Sequence, residues 1–250
     1  MMEIVVKSDR GQRRTVNEDY ANYFYNQEEI PLLLTCDGIG GHNAGDVASA
    51  MAVCELGKLW QQTELDNLEE IHLWLRQSIL AVNQTIYKKS KQSEELSGMG
   101  TTLVAAVVVG EQVLVAYVGD SRVYLQHHET LNLLSEDHSL VNELVKSGEI
   151  TAEEALVHPK RNYVTRSIGV MDSVEIDFVR STMKVGDFLL LCTDGLTNMI
   201  SVETIQELLS SNLTIEEIAE KAVELANAAG GTDNITILLA QKKMNEGCED

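Results

Sequence analysis

The sequence predicts an α+β fold, a four-layer sandwich in which two packed antiparallel β-sheets are flanked by pairs of α-helices. Two observations carry this prediction. Short segments rich in β-branched residues follow one another through tight turns, and two pairs of longer segments show helical periodicity. The turn Gly110-Glu111, for example, joins two valine-rich runs, which is typical of a hairpin and therefore of antiparallel pairing.

Strands are predicted wherever a short apolar or β-branched run is bounded by turn residues. Several of these runs are almost continuously apolar, which indicates strands that are buried on both faces. The predicted strands span residues 3–7, 20–25, 32–36, 103–109, 112–118, 123–127, 131–134, 174–180, 188–192 and 235–241.

Helices are predicted where apolar residues recur every three or four positions, at 43–60, 67–92, 201–211 and 214–228. Asn67 is the predicted N-cap of the second helix, because Asn is a favoured N-cap residue and a Glu, Glu70, stands three residues later.

One domain is expected over residues 1–243, followed by a polar tail at 244–250, because no linker, repeat or low-complexity tract interrupts the chain. Residues 138–166 are polar, contain Gly148 and Pro159, and lie between predicted strands. An ordinary insertion is one interpretation of this segment. We favour the other, a flap beside the functional site, because long connections in compact domains are often functional.

The composition excludes several classes of function. The 250 residues carry a formal net charge of -20, so the basic footprint that nucleic-acid binding requires is missing. The longest apolar runs, 103–109 and 188–192, are far shorter than the ~18 residues of a membrane span. The N-terminus lacks the pattern of a secretory signal, and the four cysteines show no CxxC spacing. We therefore expect a cytoplasmic protein that neither binds nucleic acid nor inserts into a membrane.

Acidic residues recur at the ends of predicted strands. Apolar runs lead directly into Asp37, Asp120 and Asp194. Asp233 and the pair Glu18-Asp19 each come just before a strand. An Asp-Gly pair is also a common hairpin turn. After Asp37-Gly38 and Asp194-Gly195, however, the chain enters helical patterns instead of a partner strand.

Carboxylates that meet at buried strand ends repel one another unless cations neutralise them. Oxygen ligands select hard cations, so Mn²⁺ or Mg²⁺ is expected here and zinc is not. The sequence therefore predicts a metal site, provided that these segments meet in space.

Seven motifs, taken in order, resemble those of the metal-dependent protein phosphatases, the type 2C family, and in detail those of its Gram-positive bacterial branch. The resemblance covers nearly the whole chain. Its motifs are Arg14-Thr15-Val16-Asn17-Glu18-Asp19, Asp37-Gly38-Ile39-Gly40-Gly41-His42, Gly98-Met99-Gly100-Thr101-Thr102, Val118-Gly119-Asp120-Ser121-Arg122, Asp137-His138-Ser139, Thr193-Asp194-Gly195-Leu196 and Gly230-Gly231-Thr232-Asp233-Asn234-Ile235-Thr236.

The resemblance implies hydrolysis of phosphoserine and phosphothreonine by in-line attack of a water that bridges two metal ions. It implies that Asp37 bridges two core ions, that the Gly38 carbonyl binds one of them, and that Asp194 and Asp233 bind the other. Asp120, with Asp194, would help to hold a third, weaker ion. The acidic pair Glu18 and Asp19 would contact the ions through metal-bound water. Asn234 would contact an ion through water, or would support a residue that binds one.

Arg14 is expected to bind the phosphate, because its planar fork matches phosphate oxygens and the family motif places one Arg just ahead of Glu18-Asp19. Some eukaryotic relatives have a His directly after the Asp-Gly pair, whereas Ile39 stands there in this sequence. His42 is the nearest candidate for acid–base work, and its alternatives are to orient substrate or water, or to pack at a helix start. Phosphorylated proteins and a cognate Ser/Thr kinase are the implied partners.

Two other functions remain open at this point. A pseudophosphatase would use the same fold to bind phosphoproteins, but none of the expected metal carboxylates is missing. A hydrolase of small phosphate esters or nucleotides is the other, although the sequence has no Walker loop or dinucleotide fingerprint.

Overall fold

A computed structural model describes residues 1–40 and 44–244 of the chain. Within that part, the strands form two five-stranded antiparallel sheets and one very short two-stranded sheet. The first sheet has the strand order β1-β12-β11-β8-β9. Its strands are β1 (Met2–Asp9), β8 (Arg122–His127), β9 (Thr130–Leu133), β11 (Phe188–Cys192) and β12 (Ile235–Lys242).

The second sheet has the order β10-β7-β6-β3-β2, and the short sheet pairs β4 with β5. The strands of the second sheet are β2 (Tyr20–Tyr25), β3 (Pro31–Cys36), β6 (Leu103–Val109), β7 (Gln112–Val118) and β10 (Asp177–Thr182). The short strands β4 (Gly38–Ile39) and β5 (Gly100–Thr101) continue just beyond the ends of their neighbours in this sheet.

Helices cover the outer face of each sheet. The helices α1 (Gly45–Trp60) and α2 (Leu68–Ser90) pack on the second sheet, and α6 (Val202–Leu209) and α7 (Ile215–Ala228) pack on the first. The remaining described helices lie in connections: α3 (Leu140–Ser147), α4 (Ala152–Leu156), α5 (Asp194–Thr197) and a 3₁₀ helix at Glu94–Leu96.

The core consists of three apolar layers that alternate with the four layers of secondary structure. Along β3, Leu32 and Leu34 face α1 and α2, whereas Leu33 points into the layer between the sheets. On β11, Leu190 faces the other pair of helices and Leu189 and Leu191 face the middle layer. Because side chains alternate along a strand and both faces are covered, these strands are continuously apolar in sequence. The predicted four-layer α+β sandwich is confirmed.

Local signals in the sequence account for most element boundaries. The Asn67 side chain accepts a hydrogen bond from the Glu70 N–H (3.0 Å), as the predicted N-cap requires. The strand predicted at 174–180 is shifted to Asp177–Thr182, because its partner β7 ends at Val118 and pairing therefore starts at Tyr117. Residue 43, the predicted start of α1, and the tail 245–250 lie outside the described residues.

The segment 138–166, the predicted flap, contains the two short helices α3 and α4. Among residues 1–40 and 44–244, no helix has the length and apolar character needed to span a membrane.

Candidate functional site

The strand pairing brings the acidic segments to one end of the sandwich. Tyr20 pairs with Cys36, so Asp19 lies beside the end of β3, where Asp37 follows. Cys192 pairs with Ile237, so the last residue of β11 lies beside the first residues of β12. Asp194 follows β11 and Asp233 precedes β12, so both lie at this end. β7 runs in the same direction as β3, since each is antiparallel to β6, and it delivers Asp120 to this end as well.

The backbone of Asp37 is held from both sides by two threonines. The Asp37 N–H donates to Thr102 Oγ1 (2.8 Å), and the Asp37 carbonyl accepts from Thr101 Oγ1 and from the Thr102 N–H, both at 2.8 Å. Thr102 Oγ1 also lies 2.7 Å from Ser121 Oγ. The Asp37 peptide is therefore fixed before its carboxylate takes any part in chemistry.

Asp194 and Asp233 come together through a close approach of two backbone segments. A Cβ atom on Gly195 would lie 1.9 Å from the Asn234 carbonyl oxygen, so no larger residue fits at this contact. Asn198 Nδ2 donates to Asp194 Oδ2 (3.0 Å), which orients that carboxylate. The carboxyl groups of Asp194 and Asp37 lie within hydrogen-bonding reach of each other.

The acidic pair Glu18-Asp19 points into the same region. Thr193 Oγ1 donates to Asp19 Oδ2 (2.8 Å), whereas Asp19 Oδ1 is buried and has no hydrogen-bond partner among residues 1–40 and 44–244. The Glu18 carboxylate accepts a hydrogen bond from the Gly45 N–H at the start of α1, where a helix favours negative charge.

Arg14 lies across the mouth of this cluster. Its Nη2 donates to Asp233 Oδ2 (2.7 Å), its Nη1 is 3.9 Å from Glu18 Oε2, and its side chain is 47% exposed. Asn234 organises the segment that carries Arg14. Its Oδ1 accepts from the Glu18 N–H (2.8 Å), and its Nδ2 donates to the carbonyls of Arg10 and Val16 (both 2.9 Å).

Asp120 is buried in the turn after β7, with 8% of its surface exposed. Arg122, two residues later, forms a bidentate ion pair with Asp137, in which Nη2 lies 2.6 Å from Oδ2 and Nε lies 2.9 Å from Oδ1. Arg122 is a nearby positive charge for Asp120 and Asp194, and it favours their ionised forms.

Burial and mutual repulsion disfavour negative charge on the carboxyl groups of the cluster. Burial, with the neighbouring carboxylates of Asp19 and Asp194, raises the pKa of Asp37 well above its usual range. Burial raises the pKa of Asp19 and of Asp120 to about 7. Burial and the charge of Asp233 also raise the pKa of Asp194. Buried, closely spaced acids show shifts in this direction, because burial and neighbouring negative charges both disfavour ionisation.

The donor set fits a hard divalent cation. In the described part of the chain the buried Asp19 Oδ1 lacks a hydrogen-bond partner, and the clustered oxygens are of the kind that Mn²⁺ and Mg²⁺ prefer. Within residues 1–40 and 44–244, no three His, Cys, Asp or Glu side chains form a ready-made cage for a single ion. Mg²⁺-like ions commonly keep several waters and use few carboxylates, so an open donor set is compatible with such an ion.

Two further points concern the residues predicted from the sequence. His42, the candidate for acid–base work, lies outside the described residues. Sequence reasoning did not find that Thr101, Thr102 and Thr193 hold the acidic residues in place. Thr101 and Thr102 stand in one of the seven motifs and Thr193 stands in another, which was the available signal.

Comparison with known proteins agrees with the sequence motifs. The family model described as protein phosphatase 2C matches residues 9–234. The chain is 44% identical over 250 residues to a serine/threonine phosphatase of Listeria monocytogenes, an alignment that covers 100% of this chain and 99% of that protein. It is 43% identical over 245 residues to a protein phosphatase of Streptococcus pneumoniae, with 98% of each chain covered.

Solved structures show the same fold. The serine/threonine phosphatase of S. agalactiae superimposes with a TM-score of 0.94 at 43% identity, over 97% of this chain and 100% of that chain. A serine/threonine phosphatase from Staphylococcus aureus superimposes with a TM-score of 0.93 at 38% identity, over 98% and 96% of the two chains. The resemblance predicted from the sequence is thus confirmed, and this chain belongs to the protein phosphatase 2C family.

Proposed function

We propose that this chain is a metal-dependent phosphatase that hydrolyses phosphoserine and phosphothreonine in proteins. The observation that carries the proposal is the cluster of acidic residues at one end of the sandwich, among them the buried Asp19 and Asp120, with Arg14 beside it. The clustered acids would bind the cations, and the arginine would bind the phosphate. The names of the related phosphatases support the same reaction.

Asp37, the Gly38 carbonyl, Asp194 and Asp233 are the residues that would hold two core ions. Asp120 would help to hold a third, weaker one, and Glu18 and Asp19 would hold water around them. Bound Mn²⁺ or Mg²⁺ would lower the pKa of water and neutralise the charge that develops on the phosphate.

Arg14 would bind the phosphate of the substrate. A guanidinium has five N–H donors, and the ion pair with Asp233 uses one face of the fork. Half of the Arg14 side chain is exposed, so the remaining donors can reach an incoming phosphoryl group. Asn234 holds the backbone between Arg14 and Glu18, and it would keep this arginine next to the acidic cluster.

Neither nearby nucleophilic side chain is suited to form a covalent intermediate. The Ser121 hydroxyl is 2% exposed and bonded to Thr102. The Cys36 thiol is fully buried, and burial raises its pKa far above neutrality, so little thiolate exists at physiological pH. Water is therefore the nucleophile that we propose.

The test is turnover of a phosphothreonine peptide with added Mn²⁺, then after chelation, then after Mn²⁺ is restored. We expect activity to vanish with chelation and to return with the metal. A folded protein that shows no turnover with any divalent cation, yet binds the phosphopeptide, would instead support a phosphoprotein-binding function. Nucleotide turnover faster than peptide turnover would favour the alternative that the protein hydrolyses small phosphate esters or nucleotides. Peptides that differ only in phosphoserine or phosphothreonine would define the substrate preference.

The partners that we propose are phosphorylated proteins and a cognate Ser/Thr kinase that phosphorylates them. A phosphoprotein prepared with such a kinase would serve as the second substrate in this assay.

A further inference from the structure

His138 connects the turn that carries Asp120 to the two ends of the segment 138–166. Its side chain is 5% exposed, and its Nδ1 accepts a hydrogen bond from the Gly119 N–H (3.1 Å). Its own backbone N–H donates to the Gly119 carbonyl (2.9 Å). Two hydrogen bonds therefore tie His138 to the residue that precedes Asp120.

The other ring nitrogen faces a carboxylate. His138 Nε2 lies 3.0 Å from Asp177 Oδ2, at the start of β10. Because Nδ1 accepts a hydrogen bond, the ring proton is on Nε2, which donates to Asp177. The ring of Tyr117 stacks on the imidazole at 5.4 Å between centroids and 24° between planes, so the plane of the ring is fixed as well.

Both ends of the segment meet at this histidine. The Thr165 N–H donates to the His138 carbonyl (2.8 Å), and Ser139 pairs with Val164 in an isolated bridge. Arg166 Nη1 lies 3.4 Å from the Asp177 oxygen that also accepts from His138. Asp177 therefore links Arg166, at the C-terminal end of the segment, to the imidazole of His138.

The turn that His138 contacts packs closely against Thr102. Gly119 has a φ of +107°, and a Cβ atom there would lie 2.6 Å from Thr102 Cγ2. The Thr102 Oγ1 in turn accepts a hydrogen bond from the Asp37 N–H. A displacement of Gly119 would therefore disturb Asp120 directly and Asp37 through Thr102.

We propose that His138 is a positioning residue that sets the Asp120 turn for cation binding, through the hydrogen bond from the Gly119 N–H to Nδ1. This role rests on the proposed function, because it matters only if Asp120 helps to hold an ion. The bond to Asp177 fixes the tautomer, so that Nδ1 is free to accept.

The test compares two variants that each keep one half of the contact. In His138→Asn, the short amide oxygen can still accept from the Gly119 N–H. In His138→Gln, the longer side chain reaches Asp177 but leaves the Gly119 N–H without its acceptor. The matched control is His128→Asn on the β8–β9 turn, where φ is +53° and Asn is well tolerated.

The first readout is the Mn²⁺ concentration that gives half-maximal turnover of the phosphothreonine peptide. Residues behind metal ligands typically contribute about 10–100-fold to metal affinity. We expect His138→Gln to raise this concentration by about 10-fold or more, with His138→Asn and His128→Asn close to the wild type. A residue with only a structural role would lower stability in both His138 variants and leave their Mn²⁺ dependence alike.

The second readout is the ¹⁵N spectrum of the His138 ring in the wild-type protein, which remains decisive even if His138→Gln does not fold. We expect a neutral ring protonated at Nε2. A ring protonated at Nδ1, or unchanged Mn²⁺ dependence in folded His138→Gln, would overturn the role of His138 and leave the proposed function intact. Wild-type protein without Mn²⁺-dependent turnover would overturn the proposed function and this role together.

Discussion

Replacing Thr102 by valine removes one buried oxygen and keeps the shape of the side chain. Thr102 is fully buried, and its Oγ1 accepts from the Asp37 N–H and contacts the Ser121 hydroxyl. The substitution therefore removes the acceptor of the Asp37 N–H and the hydrogen-bond partner of the Ser121 hydroxyl. A buried donor without a partner costs about 1–3 kcal/mol. We expect the free energy of unfolding to fall by about 2–4 kcal/mol, toward the lower end if the Ser121 hydroxyl rotates to another acceptor.

The same change should impair activity. The Asp37 N–H will move to regain a partner, and small displacements of catalytic groups are costly, so we expect kcat to fall by about 10-fold or more. Stability is measured by urea unfolding and activity by phosphopeptide turnover. Thr85→Val is the matched control, because Thr85 is exposed on α2 and its hydroxyl donates to the Ala81 carbonyl of the same helix. If Thr102→Val is as stable and as active as Thr85→Val, then Thr102 does not hold Asp37 in place.

Three further predictions follow from the site. Asp37→Asn and Asp194→Asn should each abolish turnover while the circular dichroism spectrum stays unchanged, and near-normal rates in either variant would contradict the metal assignment. Arg14→Ala should mainly raise KM, because Arg14 would bind phosphate in the ground state and the transition state alike, and an unchanged KM would refute that role. In metal-free protein, the pKa of Asp19 and of Asp120 is raised to about 7. Folding therefore favours their protonated forms, and this contribution to stability is present below about pH 4 and is lost as the pH rises through about 7. Urea midpoints of chelated protein should fall between pH 5 and pH 8, by less in Asp19→Asn or Asp120→Asn, whereas equal falls in all three proteins would contradict the pKa assignment.

Much of the fold could be predicted because each layer of the sandwich produces a local pattern in the sequence. The strand around Leu33 is continuously apolar because one face meets helices and the other meets the second sheet. Asn67 and Glu70 predict the start of α2, because the Asn67 side chain caps the helix by accepting a hydrogen bond from the Glu70 N–H. The start of β10 could not be predicted, because it depends on where its partner β7 ends.

The position of the site was partly visible in the sequence and its internal support was not. An aspartate that follows a buried strand within one or two residues must lie near the end of that strand, so the positions of Asp37 after β3 and of Asp194 after β11 could be predicted. The threonine that holds the Asp37 peptide lies 65 positions away in the chain, and only the pairing of β3 with β6 brings the two together. The link from His138 to Gly119 depends on tertiary structure in the same way.

The central claim is that the clustered carboxylates bind divalent cations, and direct binding tests it without reference to turnover. Mn²⁺ binding would be measured by isothermal titration calorimetry on wild-type protein, Asp37→Asn and Asp66→Asn. Asp66 is exposed and far from the cluster, at the opposite end of the sandwich. We predict that wild type and Asp66→Asn bind Mn²⁺ alike and that Asp37→Asn loses most of that binding. If Asp37→Asn binds Mn²⁺ as the wild type does, the metal site is not where this account places it.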